Sequence, residues 1–424
     1  MKKIIADLHL HSKYSRAVSQ EMVLENMTDW AKIKGLNLLA APDFTHPLWF
    51  KELKNKLKLK SRGVYCLKNA PEIGFIVSGE ISSIYSQNGK TRRIHNLVFA
   101  PDLDSAFKIN KALLRAGANL SSDGRPIIGL SSIQLADLVL SANPECLIIP
   151  AHIWTPWFSL YGSRSGFDSL QECFGQYANN IFAIETGISS DPKMNWPIKD
   201  LENLSILSFS DAHSLPKIGR EATIFKTKNK KGLDFTYSDL ALAVKRDKAA
   251  RWHISSTIEF YPEEGRYHYD GHRKCKIRRS PEETRKKGNI CPVCAKSLTL
   301  GVAYQVAKIA NLGGSASFQK RPPFITVIPL LEIIAEVEQV GANSKRVKEK
   351  YSRMVKSLGS EIDVLLNVSL EKIKNLFGLR MSEAIERNRL GKISIDPGFD
   401  GQFGKVNIWP KKGESLAEKQ IALF

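Results

Sequence analysis

The run Asp7-Leu8-His9-Leu10-His11 closes the first apolar stretch of the chain, and Ser210-Asp211-Ala212-His213 answers it far downstream. Side chains at i and i+2 of an extended segment point to the same side, so His9 and His11 can grip one ion where a strand ends. Asp211 and His213 repeat that geometry. Two such pairs, so distant in sequence, can serve one centre only in a fold that gathers strand ends on a shared face. A single His-x-His pair is as easily a surface coincidence, so the remaining histidines decide.

The chain has only nine histidines. His46 lies in Pro42-Asp43-Phe44-Thr45-His46-Pro47, His95 precedes Asn96-Leu97-Val98-Phe99, and His152 follows Cys146-Leu147-Ile148-Ile149-Pro150-Ala151. Carboxylates sit at similar places: Glu80 closes Phe75-Ile76-Val77-Ser78-Gly79, and Glu185 closes Ile181-Phe182-Ala183-Ile184. In barrels of parallel strands the carboxyl ends face one side, where active sites are built. His, Asp and Glu at several strand ends therefore predict one polynuclear metal centre. The β/α rhythm from Met1 to about Phe225 agrees with an α/β barrel. No Gly-x-Ser-x-Gly elbow and no Walker loop offers a rival chemistry.

A second metal site is local. His272-Arg273-Lys274-Cys275 and Cys291-Pro292-Val293-Cys294 are two knuckles separated by a loop of fifteen residues, which suits one tetrahedral zinc. With His272, Cys275, Cys291 and Cys294 all supplied by protein, the site is closed and structural. His268 is the rival fourth ligand, but it breaks the knuckle spacing. Cys66, Cys146 and Cys173 stand apart among apolar neighbours and read as buried thiols. After Gly301 the pattern turns helical, with apolar residues three and four apart. The expected organisation is a barrel over 1–228, a zinc-binding module over 229–300 and a mainly helical region over 301–424, whose basic positions would suit a DNA-binding role.

Lys and Arg number 62 against 43 Asp and Glu, a net charge of +19. That surplus favours a polyanionic partner held through phosphate contacts. No run of eighteen apolar residues occurs, and the N-terminus passes straight into a strand, so a cytoplasmic, nucleoid-associated monomer is expected, without membrane insertion.

These motifs, in this order, resemble the polymerase and histidinol phosphatase (PHP) metal-dependent phosphoesterases, over roughly the first half of the chain. The resemblance implies a distorted (β/α)7 barrel. It implies that His9, His11, Glu80 and Asp211 hold one ion, that Glu80 bridges to a second held by His95 and His152, and that a third uses His213 with Asp43 and His46. Glu185 would be a ligand or, preferably, order the ligands from behind. Asp7, Glu80, Asp211 and His213 would carry the catalytic roles. Two or three divalent ions are thus expected, of Zn, Mn, Fe or Mg, with the mixed nitrogen and oxygen ligands suiting the first three better. One departure bears on the third: family members often carry an acid shortly after His-x-His-Ser, where this chain has Ser15-Arg16.

The layout of the whole chain, zinc module included, is similar to a branch of the family known from archaea that nicks DNA beside deaminated bases. That likeness implies hydrolysis of the phosphodiester 5′ to uracil, hypoxanthine, xanthine or an abasic site by metal-activated water, leaving 3′-hydroxyl and 5′-phosphate ends. An enzyme of this kind extrudes the damaged nucleotide into a pocket with aromatic walls. Phe44, Tyr85, Trp154, Trp157 and Phe158 are candidates, with Arg164 in the loop after His152 and Arg278 and Arg279 of the zinc module for the DNA backbone. The tail, with Gln420, Leu423 and Phe424, resembles a short sliding-clamp-binding motif. Two other readings use the same residues: a histidinol-phosphatase-like monoesterase, and a non-catalytic DNA-binding protein with a PHP fold.

Overall fold

The apolar runs become twelve strands: β1 (Lys2–Asp7), β2 (Leu38–Ala41), β3 (Leu57–Ser61), β4 (Val64–Leu67), β5 (Ala70–Gln87), β6 (Lys90–Phe99), β7 (Ile127–Ile128), β8 (Leu147–Pro150), β9 (Ala183–Glu185), β10 (Ser205–Leu207), β11 (Ala222–Thr227) and β12 (His253–Glu259). They are taken from a computed structural model that describes residues 2–228, 234–312 and 321–410, with the backbone of 417–418. β1 runs parallel to β2, and β2 parallel to β5. β9 and β10 form a parallel pair. Ile153 N donates to the Glu185 carbonyl (3.2 Å) and Ser208 N to Thr223 Oγ1 (3.0 Å), which ties that pair to the ends of β8 and β11. The result is a distorted α/β barrel.

It is not all-parallel. β6 is antiparallel to β5 and to β8, and β11 is antiparallel to β1 and to β12. The reason is local at β5–β6. Asn88 and Gly89 both have positive φ, 52° and 70°, the two-residue turn whose twist suits a hairpin, and strands joined so tightly must run in opposite directions. Glu80 and His95 therefore lie inside long strands, not at carboxyl ends as expected.

Alternate residues of the strands feed opposite faces of the sheet. Ile5 and Leu39 enter one buried cluster, with helices Leu24–Lys34 and Leu103–Arg115; Ala6, Leu8, Leu38 and Ile76 enter the other, with Phe99, Phe209 and Trp252.

The later chain is helical: Leu330–Glu338, Lys345–Leu358, Glu361–Leu366, Leu370–Phe377 and Leu379–Arg389. Ser344, Ser360 and Ser369 cap three of these by accepting from the N–H of Val347, Asp363 and Lys372. Lys345–Leu358 buries Val347, Tyr351, Met354 and Leu358 on one stripe and turns its cations outward. A buried ion pair docks this region on the barrel: Lys34 Nζ is 2.7 Å from Glu361 Oε2, which also accepts from Tyr351 Oη (2.6 Å).

Between them lies a hairpin, Asp270–His272 with Ile277–Arg279, followed by helix Pro281–Lys287. The segment after the last helix returns to brace it: Tyr269 N donates to the Gly398 carbonyl (2.9 Å), and Asp400 accepts from Arg273 N (2.6 Å) and Thr299 Oγ1 (2.7 Å). Among the described residues no helix is long and apolar enough to cross a membrane. Gln420, Leu423 and Phe424, read as a clamp-binding tail, lie outside the described residues.

Candidate metal centre and nucleotide pocket

The His-x-His segment leaves β1 beside the turn that carries Asp211. Asp7 makes that junction. Its Oδ1 accepts from Ser210 N (3.0 Å) and its Oδ2 from Ser210 Oγ (2.6 Å) and Gly219 N (2.8 Å). Burial raises its carboxyl to about 6 against those bonds. Both oxygens accept bonds from the turn or from Gly219, so Asp7 braces the Asp211 turn.

His9, His11, Glu80 and Asp211 offer ligand atoms that all lie within 4.8 Å of one another, and Glu80, His95 and His152 form a second such group. Glu80 is common to both. Its Oε1 faces His95 Nδ1 (2.6 Å) and His152 Nε2 (3.0 Å), and its Oε2 faces His11 Nε2 (3.4 Å) and His9 Nε2 (3.7 Å). Asp211 Oδ1 stands 3.0 Å from His11 Nε2 and 3.5 Å from His9 Nε2.

The imidazoles of the first group are held from behind. His9 donates from Nδ1 to Glu185 (2.9 and 3.1 Å), and His11 from Nδ1 to Asp43 Oδ1 (3.2 Å). Each bond fixes the tautomer whose free Nε2 lone pair points into the cluster. Glu185 also accepts from His152 N (2.9 Å). Asp43 Oδ2 is taken by Ser12 N, Ser12 Oγ and Ser15 Oγ. Both carboxylates thus orient other ligands. Asp43, His152 and Asp211 have positive φ, 50°, 30° and 47°, conformations costly for non-glycine residues that persist where the surroundings enforce them.

The residues fit metal ions. His9 Nε2 is buried and has no hydrogen-bond partner. Burial would strip the protons from His9 and His11, yet the carboxylates around them raise both well above the usual imidazole range. Glu80, despite a burial that opposes ionisation, is held well below the usual carboxylate range by His95 and its other imidazole neighbours. A cluster this rich in buried acid demands positive charge, and divalent ions at the Nε2 and carboxylate atoms supply it.

The third group expected is not among the ligand groups that converge in the described residues. His213 Nδ1 is bound to the Asp211 carbonyl (2.8 Å), and His46 stacks on Tyr14 (4.4 Å between ring centres), with Asp43 already occupied. Arg16, where the sequence departs from the family, is 75% exposed and pairs with Asp123. The cation beside the cluster is one the sequence reading missed: Arg125, whose Nη1 lies 3.2 Å from Glu80 Oε2.

A cavity of about 550 Å³ opens beside the second ligand group. Thr155, on its wall, is bonded to His152 Nδ1 (3.2 Å), and the Phe158 ring lies 4.7 Å from that of His95. Trp157 and Phe158 line it, as the sequence proposed, together with Arg93, Arg266, Tyr267 and Phe403, which it did not. Phe403 is 65% exposed at the rim with Arg266 over its ring (4.2 Å). The other aromatic candidates are corrected. Phe44 and Trp154 are fully buried core, Phe44 against Gly79 and Trp154 donating to Asn195, and Tyr85 is enclosed elsewhere with its hydroxyl buried. Arg164 is exposed on the loop after His152 but not on the cavity wall, Arg278 pairs with Asp396, and buried Arg279 holds the Gly288 carbonyl.

His272, Cys275, Cys291 and Cys294 also converge within 4.8 Å, with His272 Nδ1 3.3 Å from Cys294 Sγ. Burial pushes the Cys275 thiol up to about 11, while at Cys291 the N–H groups of Val293 and Cys294 outweigh burial and bring it down to about 6. Backbone donors aimed at sulfur, and three sulfurs crowded on one imidazole, match a tetrahedral zinc site.

The MJ0043 C-terminal domain family matches residues 329–392, the helical region. The uncharacterized protein MJ0043 of Methanocaldococcus jannaschii is 32% identical over 269 residues, 63% of this chain, which spans about a third (32%) of that relative. The uncharacterized YqxK of Bacillus subtilis is 28% identical, covering 96% of this chain and 100% of YqxK. Among solved structures, the lesion-specific endonuclease PfuEndoQ of Pyrococcus furiosus superposes with a TM-score of 0.83 at 30% identity, over 96% of this chain and 95% of that one. Endonuclease Q in complex with a 27-mer duplex carrying an abasic lesion at its active site also gives 0.83, at 31% identity, over 97% and 98%. With identity at this level over nearly the whole of both chains, the chain belongs to the endonuclease Q family.

Proposed function

We propose that this protein is a metal-dependent DNA repair endonuclease that cuts the phosphodiester 5′ to a deaminated base or an abasic site and leaves 3′-hydroxyl and 5′-phosphate ends. The observation that carries the reading is Glu80, whose two oxygens are divided between two ligand groups, the second of which touches Thr155 and Phe158 on the wall of a cavity also lined by Trp157 and Tyr267. His9, His11, Glu80 and Asp211 would hold one ion and Glu80, His95 and His152 the other. Such a pair, when bound, lowers the pKa of water, orients the phosphate and offsets charge on the leaving oxygen.

The protein's own groups do the rest. Glu185 and Asp43 fix the imidazoles, and Arg93 and Arg266 supply charge near the cavity for a DNA backbone. Trp157, Tyr267 and Phe158 offer faces on which an extruded base can stack. The four-ligand zinc site would hold the hairpin that directly follows Arg266 and Tyr267 in the chain, which is a structural role. The net charge of +19 suits duplex DNA and exceeds what a small phosphomonoester needs.

The test is a set of end-labelled duplexes with uracil, hypoxanthine, xanthine or an abasic site, and one undamaged, each incubated with Mn, Mg or Zn. The expected product is one nick on the 5′ side of the lesion, with a 3′ end that a polymerase can extend. Release of inorganic phosphate without nicking would favour the monoesterase reading.

A further inference from the structure

We infer that Arg125 is a catalytic residue of this enzyme: its guanidinium takes a non-bridging oxygen of the scissile phosphate and acts as a fixed cation beside the Glu80 cluster. The inference rests on the endonuclease reading above. Its first support is position. Arg125 Nη1 donates to Glu80 Oε2 (3.2 Å), the oxygen on the His9, His11 and Asp211 side, and the side chain is 24% exposed. The guanidinium therefore belongs to the cluster yet reaches its open side.

The second support is spare capacity. Of the five N–H donors of a guanidinium, the Glu80 bond is the only one used among the described residues, and no Arg125 nitrogen is buried without a partner. The free N–H groups are open to solvent, in the planar arrangement that matches two oxygens of a phosphate. The third is charge. Among the described residues Arg125 is the only Lys or Arg paired with Glu80, and Asp211 also acts on its charge.

The fourth support is rigidity, because the loop holding Arg125 is pinned on every side. Arg125 N donates to Asp123 Oδ1 (3.1 Å), Gly124 N to the Tyr14 carbonyl (3.0 Å), Thr45 Oγ1 to the Gly124 carbonyl (3.0 Å) and Ser82 N to the Pro126 carbonyl (3.0 Å). A Cβ at Gly124 would stand 2.4 Å from Ser15 Oγ and 2.5 Å from Asp43 Oδ2, so only glycine lets the loop approach so closely. A surface arginine held for charge balance alone needs no such mounting.

In the hydrolysis a water oxygen bonds to phosphorus as the P–O3′ bond breaks, the water gives up a proton and O3′ gains one. Arg125 stays protonated throughout and meets the charge that builds on the non-bridging oxygens.

The test compares wild type, Arg125→Gln, Arg125→Lys and Arg125→Ala as purified holoenzymes. Single-turnover nicking of an abasic duplex, its Kd and the metal content per chain are measured for each. Arg125→Gln should keep its metal content and bind DNA within about threefold, while nicking falls by about 10²–10³-fold, the usual loss of one transition-state donor. Arg125→Lys should lose less, and added guanidinium should restore about tenfold to Arg125→Ala, as a merely structural arginine would not permit. Nicking by Arg125→Gln within about threefold of wild type at equal metal content would overturn the inference and leave the endonuclease reading intact. A loss that tracks lost metal and resists guanidinium would also overturn it. A wild type that leaves lesion DNA uncut sinks the endonuclease reading, and this inference with it.

Discussion

The molecule has two metal-ligand clusters built in opposite ways. The Cys–His cluster draws its candidate ligands from one short stretch, His272 to Cys294, and leaves His272, Cys275 and Cys294 half-buried. The Glu80 centre draws its ligands from five separate stretches of the chain between His9 and Asp211 and buries nearly all of them. A local cluster is written in spacing and needs the ion to hold its own few residues together. A distributed one is assembled by the barrel before any ion arrives. The first should therefore lose structure without its metal, whereas the second should lose only chemistry.

The largest effect expected on that contrast is at the barrel. His9→Ala or Asp211→Ala should cut nicking by about 10³-fold or more, since the water-activating pair is broken, with thermal unfolding nearly unchanged. Single-turnover kinetics beside calorimetry check this, and a large fall in Tm would break the contrast from one side. Cys291→Ala should break it from the other if the module stays folded. The expected outcome is proteolytic sensitivity confined to about residues 266–300, because a structural zinc contributes on the order of 10 kcal/mol to the fold it holds. Mass spectrometry of a limited digest reads the result.

Smaller effects sharpen the comparison. Glu185→Gln keeps the shape of the group behind His9 but weakens its grip on Nδ1, and should lower metal affinity or nicking by about 10- to 100-fold. Lys34→Met leaves Glu361 buried without its cation and should destabilise the docked helical region by about 3–5 kcal/mol, read by denaturant titration.

The smallest is a pH effect. Burial first, and then the charge of Asp191, push the Glu259 carboxyl up to about 8 from its ordinary 4.5. The folded chain then keeps a proton there that the unfolded chain loses above about pH 4.5, so this contribution to stability is full below that pH and is lost as pH rises through 8. Glu259→Gln does not titrate, and should flatten the fall of Tm across that window.

How much of this was legible in the sequence follows the same division. The four residues that converge in the Cys–His cluster are neighbours, and two knuckles of fixed spacing name them. His9, His11 and Asp211 were visible because spacing by two residues at a strand end has one geometric meaning. What depends on distant packing was not. Asp7 looks like a catalytic acid beside His9, yet Ser210 and Gly219 take its oxygens. Phe44 and Trp154 look like pocket walls until the core encloses them, while Tyr267 and Phe403 reach the cavity from parts of the chain far from the barrel's metal motifs. Arg125 sits in an unremarkable Asp-Gly-Arg-Pro turn, and only the fold brings it to Glu80. The antiparallel β5–β6 pair had a readable cause, since Asn88-Gly89 between two apolar runs is a hairpin signal that the barrel rhythm obscured.

The central claim is that the Glu80 centre cuts DNA only where a damaged nucleotide can enter the adjoining cavity. The most direct measurement is single-turnover nicking of an abasic duplex and of its undamaged counterpart by wild type and by His152→Ala, with metal present in excess. The account predicts one nick 5′ to the lesion by wild type, no comparable cut in undamaged DNA, and loss of the nick in His152→Ala. Equal cutting of the two duplexes, or a His152→Ala enzyme as fast as wild type, would contradict it.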